Sequence, residues 1–222
     1  MLCDFNLIFE CFKDSISQFV ILLIFVYHQI CALRNFYLGI YTSSEVKIKN
    51  DYKTKTTICK RCGIERPIRS HHCSICNKCI ERMDHHCYFM NNCIGKKNYK
   101  YFFRYLLLSF INAFGAILLS CYRFYIFKYF EYGTIKKSMK LKILIGFLLK
   151  IIFLSIITIP TLIGTAYLLI YHLFLIYINQ TTIERIYPKL YIKEESIDNK
   201  SFCGRLSDLI EFDNLLNIYI LD

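Results

Sequence analysis

Three long apolar tracts punctuate an otherwise polar chain. Residues 15–33, SISQFVILLIFVYHQICAL, carry no charge between Asp14 and Arg34. At about 1.5 Å of rise per residue, a helix of that length nearly crosses a hydrocarbon layer of about 30 Å. Residues 105–122, YLLLSFINAFGAILLSCY, form a second uncharged run. The third tract extends from Ile143 to Ile178, broken only by Lys150. It is too long for one straight crossing and barely long enough for two with a turn. It reads as one span over roughly 152–176, bent near Pro160 and Gly164, with an amphipathic lead-in. The pattern predicts an α-helical integral membrane protein with about three transmembrane helices. A soluble helical bundle is the alternative. A cleaved signal peptide competes for the first tract, but its apolar core is long and no small-residue cleavage site follows it.

Composition agrees with spans rather than a soluble core. Of 222 residues, 55% are apolar, with 19 Phe and 18 Tyr. Charge then orients the spans. From Arg34 to Arg104 there are fifteen Lys and Arg against five Asp and Glu, which places that segment in the cytosol by the positive-inside rule. The loop between the second and third tracts is also basic (Arg123, Lys128, Lys136, Lys137, Lys140 and Lys142 against Glu131) and pulls the other way. The larger segment, with its reduced thiols, sets the orientation. A net charge of +11 suits anionic headgroups of the cytosolic leaflet better than nucleic acid, because the basic residues flank apolar spans.

Seven of the twelve cysteines fall between 59 and 93, with four of the six histidines. Shifted by fourteen residues, this segment lands on itself. Cys59, Cys62, His72 and Cys79 follow C-x2-C-x9-H-x6-C, and Cys73, Cys76, His86 and Cys93 follow the same formula. Two interleaved sets of three thiolates and one imidazole are the ligands of two structural Zn2+ ions. A disulfide scaffold is the competing reading. It needs an oxidising compartment and would leave one of seven thiols over. The segment has few apolar residues, so metal binding would supply much of its folding energy.

The tripeptide His-His-Cys occurs twice, at 71–73 and 85–87. In the first copy Cys73 opens a C-x2-C pair. In the second, Met90 stands three residues after Cys87, so the repeat has run out of ligands. Cys87, His71 and His85 are left over. A thiolate nucleophile needs an imidazole beside it, and a carboxylate on the far ring nitrogen fixes the tautomer. Asp84, His85 and Cys87 supply one residue for each role. The competing reading makes Asp84 an outer partner of a zinc ligand, His85 a solvated surface residue and Cys87 an apolar filler. Spacing alone leaves both open.

The stretch Cys59-Lys-Arg-Cys62, Arg66-Pro-Ile-Arg-Ser-His-His-Cys73, Cys76, Cys79, Asp84-His-His-Cys87 and Asn91-Asn-Cys-Ile-Gly95, with Asn98-Tyr99 and Phe102, resembles the cysteine-rich domain of the DHHC protein S-acyltransferases, or palmitoyltransferases. Asn179-Gln-Thr-Thr-Ile-Glu184 is similar to that family's Thr-Thr-x-Glu motif. The resemblance implies an N-terminal span in 1–34, a cytosolic zinc-binding domain in 35–103 between the first and second spans, two spans in 104–178 and a cytosolic tail in 179–222. It implies that Cys87 takes a fatty acyl group from palmitoyl-CoA or a similar donor and passes it to cysteines of membrane-associated client proteins. His85 would be the base and Asp84 its orienter. Both zinc ions would be structural, and a cavity among the helices would take the acyl chain. Golgi or ER residence is a family expectation. Lys96, Lys97, Lys100 and Arg104 are candidates for the phosphates of CoA.

The chain departs from the family pattern in several places. Tyr88-Phe89 stands where most members have Pro-Trp. Most members place two spans ahead of the cysteine-rich domain, and the 33 residues before Arg34 have room for one. The family's Asp-Pro-Gly motif is absent from 34–58, and Asn214 is the sole remnant of its C-terminal aromatic/Asn element. Asn179-Gln-Thr181 and Asn199-Lys-Ser201 are glycosylation sequons that a cytosolic tail would leave unmodified, with Thr181, Thr182 and Glu184 packing on the zinc domain. Cys31 and Cys121 read as inert packing. Two rival functions stand beside acyl transfer: a membrane-anchored zinc scaffold of ubiquitin-ligase type, and an inactive homologue. The spare Cys87 beside His85 argues against the first, and Tyr88 with the short N-terminal region favours the second.

Overall fold

The computed structural model describes residues 15–47, 56–127, 137–188 and 200–210. Lys128, Lys136, Asn199 and Asn214, invoked above, lie outside the described residues. In chain order the elements are α1 (Ser15–Tyr41), β1 (Thr56–Ile58), β2 (Glu65–Pro67), β3 (His71–Cys73), β4 (Lys78–Ile80), β5 (His85–Cys87) and β6 (Asn92–Ile94). They continue with α2 (Tyr99–Ile126), α3 (Lys137–Tyr177), α4 (Thr182–Ile186) and α5 (Phe202–Ile210).

The chain divides into two compact units. One comprises the chain up to Leu33 with Leu106–Leu169; the other comprises Arg34–Tyr105 with the chain from Ile170 onward. The first unit is helical. Two stretches among the described residues are long and apolar enough to cross a membrane, Tyr99–Tyr122 and Leu141–Tyr177. The sequence pattern predicts about three spans, and two are found among the described residues. The tract 15–33 is helical, as part of α1, but is not among them. The third tract is also longer than expected: the lead-in and the 152–176 span are one continuous 41-residue helix containing Pro160. Its apolar stretch leaves most large side chains exposed, among them Ile156, Ile163 and Ile170. Its threonines turn inward on the backbone: Thr158, Thr161 and Thr165 donate to the carbonyls of Leu154, Ile157 and Thr161 at 2.7–3.0 Å. Hydroxyls in an apolar helix are satisfied without a second chain in this way. Within this unit His28 Nδ1 and Asn112 Oδ1 meet at 2.8 Å. They line a cavity of about 520 Å³ whose other walls include Ile24, Phe25, Leu119, Leu154 and Ile157.

The second unit contains three antiparallel hairpins of three-residue strands, β1–β2, β3–β4 and β5–β6. Strands this short do not persist alone; the first two hairpins are closed by tight turns that contain a cysteine, and the third by Tyr88–Asn91. The fourteen-residue sequence repeat is also a repeat of backbone register. His72 faces Cys79 and His86 faces Cys93; His71 faces Ile80 and His85 faces Ile94. Gly63, Asn77 and Asn91 follow successive turns, and all three adopt the left-handed conformation that Gly and Asn tolerate (φ 71°, 52° and 47°). The third hairpin is thus a copy of the first two with Met90 in place of the second cysteine.

Asn92 ties this unit to the end of α1. Its Nδ2 donates to the carbonyls of Gly39, Ile40 and Thr42 at 2.9–3.1 Å, groups that a helix C-terminus leaves without intrahelical partners. Asn98, fully buried, accepts from Ser44 Oγ and the Gly95 N–H and donates to the Cys93 carbonyl. Ile183 of α4 packs on a small core of Cys73, Ile80, Met83 and Cys93.

Candidate active site

The two predicted quartets assemble as expected from their spacing. In each, one ligand atom per residue lies within 4.8 Å of all the others. In the first, His72 Nδ1 is 3.1 Å from Cys62 Sγ and 3.9 Å from Cys59 Sγ, and the Cys79 and Cys62 sulfurs are 3.8 Å apart. In the second, His86 Nδ1 lies 3.3, 3.5 and 3.8 Å from the sulfurs of Cys76, Cys93 and Cys73. A tetrahedron with metal–sulfur bonds of about 2.3 Å has edges of about 3.8 Å, so each set fits one metal ion. Crowding argues the same way. Burial and the neighbouring Cys59 and Cys62 push the Cys79 thiol up to about 12, and a cation among the three sulfurs would offset that crowding. All seven cysteines from 59 to 93 are free thiols, which removes the disulfide reading.

Cys87 belongs to neither quartet. It ends β5 in a buried position, and the N–H groups of Met90 and Phe89 point at its sulfur as the equivalent amides of Cys76 and Ile75 do at Cys73. His85, two residues earlier on the same strand, feels the Cys87 thiol and places its Nδ1 2.7 Å from Asp84 Oδ2. Strand alternation puts His85 and Cys87 on the same side and His86 on the other, toward the metal cluster.

The electrostatics follow. Burial, the largest single influence on His85, disfavours its charge, but Asp84 and Cys87 outweigh it and raise the imidazole to about 9. Burial likewise pushes the Cys87 thiol up; His85 and the two backbone N–H groups outweigh it and hold the thiol below its usual range. Asp84 is almost fully buried. Burial opposes its charge, yet His85, His172 and the Thr182 N–H together keep its carboxyl below the usual value. The three groups stand in series, and the surroundings of each favour its charged form.

What holds Asp84 comes from the other end of the chain. Thr182 donates its N–H to Oδ1 at 2.9 Å and its Oγ1 to Oδ2 at 2.8 Å, while the Asp84 carbonyl accepts from the Ile183 N–H. Thr182 sits where it does because Thr181 and Glu184 form a capping box that starts α4. Glu184, buried, also takes a two-pronged salt bridge from Arg69, Nε to Oε1 at 2.6 Å and the second prong at 2.7 Å to Oε2. Arg69 (φ 65°) further donates to the Asn179 carbonyl, and Arg82 donates to Asn179 Oδ1 at 2.6 Å. Asn179, of the first sequon, is thereby held against Arg69 and Arg82 of the cysteine-rich unit.

The profile of the DHHC palmitoyltransferase family matches residues 52–189, most of the chain and all of this site. The chain belongs to the DHHC palmitoyltransferase family. Palmitoyltransferase ZDHHC16B of Danio rerio is 61% identical over 59 residues, 27% of this chain and 15% of that protein. Probable protein S-acyltransferase 2 of Arabidopsis thaliana is 32% identical over 161 residues, 72% and 36% respectively. Palmitoyltransferase ZDHHC16 of Homo sapiens is 44% identical over 93 residues, 42% and 23%. The chain thus spans well under half the length of these curated relatives. It is a DHHC-family membrane protein with two candidate membrane-spanning helices among the described residues and two cysteine/histidine clusters of a geometry that could hold metal ions.

Several residues of this DHHC protein stand differently from their sequence reading. His71, left over by the quartets, is buried and its charge suppressed by that burial. Arg104 is buried with Nε on the Leu209 carbonyl, and Lys96 pairs with Glu81 at 2.5 Å. Cys31 is buried and Cys121 exposed. Tyr88 is 80% exposed, with its ring edge-on to His86 at 5.0 Å. The contacts of Arg69, Tyr99 and His172 are not indicated by sequence spacing. A lone histidine inside an apolar tract was the available signal for His172.

Proposed function

We propose that this protein is a protein S-acyltransferase that moves a palmitoyl or similar long-chain acyl group from acyl-CoA to cysteines of membrane-associated proteins. The observation that carries the reading is the series Asp84–His85–Cys87 standing outside both metal quartets. Cys87 sulfur, its proton held on His85, attacks the thioester carbonyl. The bond from the carbonyl carbon to the CoA sulfur breaks, and His85 returns a proton to the leaving CoA thiolate. A client thiol then gives its proton to His85 and attacks the Cys87 thioester; the acyl group moves to the client sulfur and Cys87 is regenerated. Asp84, held by Thr182, keeps the His85 ring in its orientation throughout.

Two Zn2+ ions fit the quartets Cys59, Cys62, His72, Cys79 and Cys73, Cys76, His86, Cys93; when bound they would cross-link the hairpins and rigidify the loop. Three thiolates and one imidazole fill a tetrahedral shell, so that role is structural. The apolar cavity of the helical unit, about 520 Å³, suits an acyl chain, whose methylenes contribute about 0.8 kcal/mol each on burial. Lys97 and Lys100 suit CoA phosphates. A third span within 15–33, a cytosol-facing site and Golgi or ER residence complete the reading, supported by the charge bias and the family.

The test is to incubate purified protein with an alkyne-tagged acyl-CoA and then with hydroxylamine. A label that hydroxylamine removes and Cys87→Ser abolishes is the expected result. Protein with two zinc ions per chain and no label on Cys87 would overturn it.

A further inference from the structure

His172 lies in the last turns of α3, buried to 3% exposure, yet it belongs to no metal quartet and touches no carboxylate directly. Its Nδ1 and the hydroxyl of Tyr99, the first residue of α2, share a hydrogen bond of 2.9 Å. Phe102, one turn further along α2, stands edge-on to both imidazoles, 5.0 Å from His172 and 5.2 Å from His85. The two imidazoles themselves are 6.2 Å apart, tilted by 43°. His85 therefore packs against a wall of rings, and that wall is pinned in one place by a single polar contact.

An apolar side chain would fill the space at lower cost than a buried imidazole, which must keep its polar atoms partnered. Tyr99 and His172 come from two different helices, and their bond fixes the plane of the ring facing His85. Asp84 and Thr182 constrain one edge of the His85 ring; they leave its rotation about the Asp84 contact open. The ring wall closes that remaining freedom.

We propose that His172, pinned by Tyr99, is a positioning residue for the reaction at Cys87: it holds the His85 ring in the plane where one nitrogen meets Asp84 and the other meets Cys87. The inference rests on the acyl-transfer reading for the identity of the reaction but not for the geometry. His172 does not touch substrate and is not a catalytic residue.

The experiment measures two rates in full-length protein carrying two metal ions per chain. One is alkylation of Cys87 by iodoacetamide, read by mass spectrometry of the Cys87 peptide; the other is acyl-enzyme formation at saturating palmitoyl-CoA, with the KM for palmitoyl-CoA. The variants are Tyr99→Phe, which deletes only the hydroxyl, His172→Phe, which keeps a ring, their double, and His172→Ala. Loss of the outer partner of a metal-ligating imidazole costs about 10- to 100-fold, and His85 is expected to respond at the lower end of that range. His172→Ala is expected to slow both rates about tenfold with KM unchanged. Tyr99→Phe and His172→Phe are expected to slow them equally, and the double no more than either, because both remove one bond. Wild-type alkylation in His172→Ala and Tyr99→Phe, or additive losses in the double, would overturn the proposal. Slowed alkylation in protein that never forms an acyl-enzyme would uphold the positioning role and overturn the acyl-transfer reading alone.

Discussion

Thr182 grips both carboxylate oxygens of Asp84 from 98 residues further along the chain, with its N–H on one and its hydroxyl on the other. A carboxylate that is almost fully buried keeps its charge because His85, His172 and Thr182 together outweigh its desolvation. The segment Asn179–Glu184 is therefore part of the site.

Thr182→Val removes the hydroxyl bond and leaves the backbone one. Acyl-enzyme formation is expected to fall about tenfold, the lower end for loss of an outer partner, with metal content unchanged. Single-turnover labelling with a tagged acyl-CoA, beside metal analysis, checks both halves.

The Arg69–Glu184 pair is nearly enclosed, with side-chain exposures of 19% and 0%. Breaking such a pair from one side costs about 3–5 kcal/mol. Burial pushes the Glu184 carboxyl up, but Arg69, the Thr181 N–H and Arg82 together hold it below its usual range. The pair's contribution is thus fully present above the ordinary Glu value of about 4.3 and is lost as pH falls through the lower folded value. Glu184→Gln is expected to lower the unfolding midpoint at pH 7. The gap to wild type should close below about pH 4. A gap that stays constant across that window would contradict the assignment.

His86 lies between His85 and Cys87 in sequence and belongs to the second quartet. Cys93→Ser is expected to reduce bound metal from two ions per chain to one and to abolish labelling of Cys87, since the loop loses its anchor. Elemental analysis of the purified variant, run beside the labelling assay, decides it. Retention of full labelling with one ion would separate the loop from the metal.

Gly39 meets Met90 more closely than any other side chain could. A Cβ at Gly39 would come within 2.6 Å of the Met90 sulfur, and Met90 itself is 1% exposed at the place where the earlier hairpins carry a ligand cysteine. Gly39→Ala is expected to cost about 1–3 kcal/mol. Shortening Met90 in the same chain should recover part of that loss, measurable as a shift of the thermal midpoint.

The fourteen-residue period of Cys and His located both quartets and left Cys87 unassigned, because a C-x2-C turn brings its own two sulfurs together whatever surrounds it. The same period carries over into the register of the hairpins and the left-handed Gly63, Asn77 and Asn91. Apolar runs located α2 and α3 but misjudged their extent: hydropathy marks where a helix can lie in lipid, whereas helical hydrogen bonding continues through the charged Lys137–Lys142 end. The three threonines inside α3 left no mark on that pattern, since their hydroxyls turn back on the helix.

By itself, then, the amino-acid order determined the two cysteine/histidine sets, the spare thiol and its adjacent Asp-His pair, all of them consequences of spacing within residues 59–93. Only the tertiary structure decided what surrounds them. Arg69 finds Glu184 across 115 residues, Tyr99 finds His172 across 73, and Asp84 finds Thr182 across 98. Such pairs have no local periodicity to betray them. They exist because burial strips water from a charge, and the folded chain has to supply partners wherever it passes close enough.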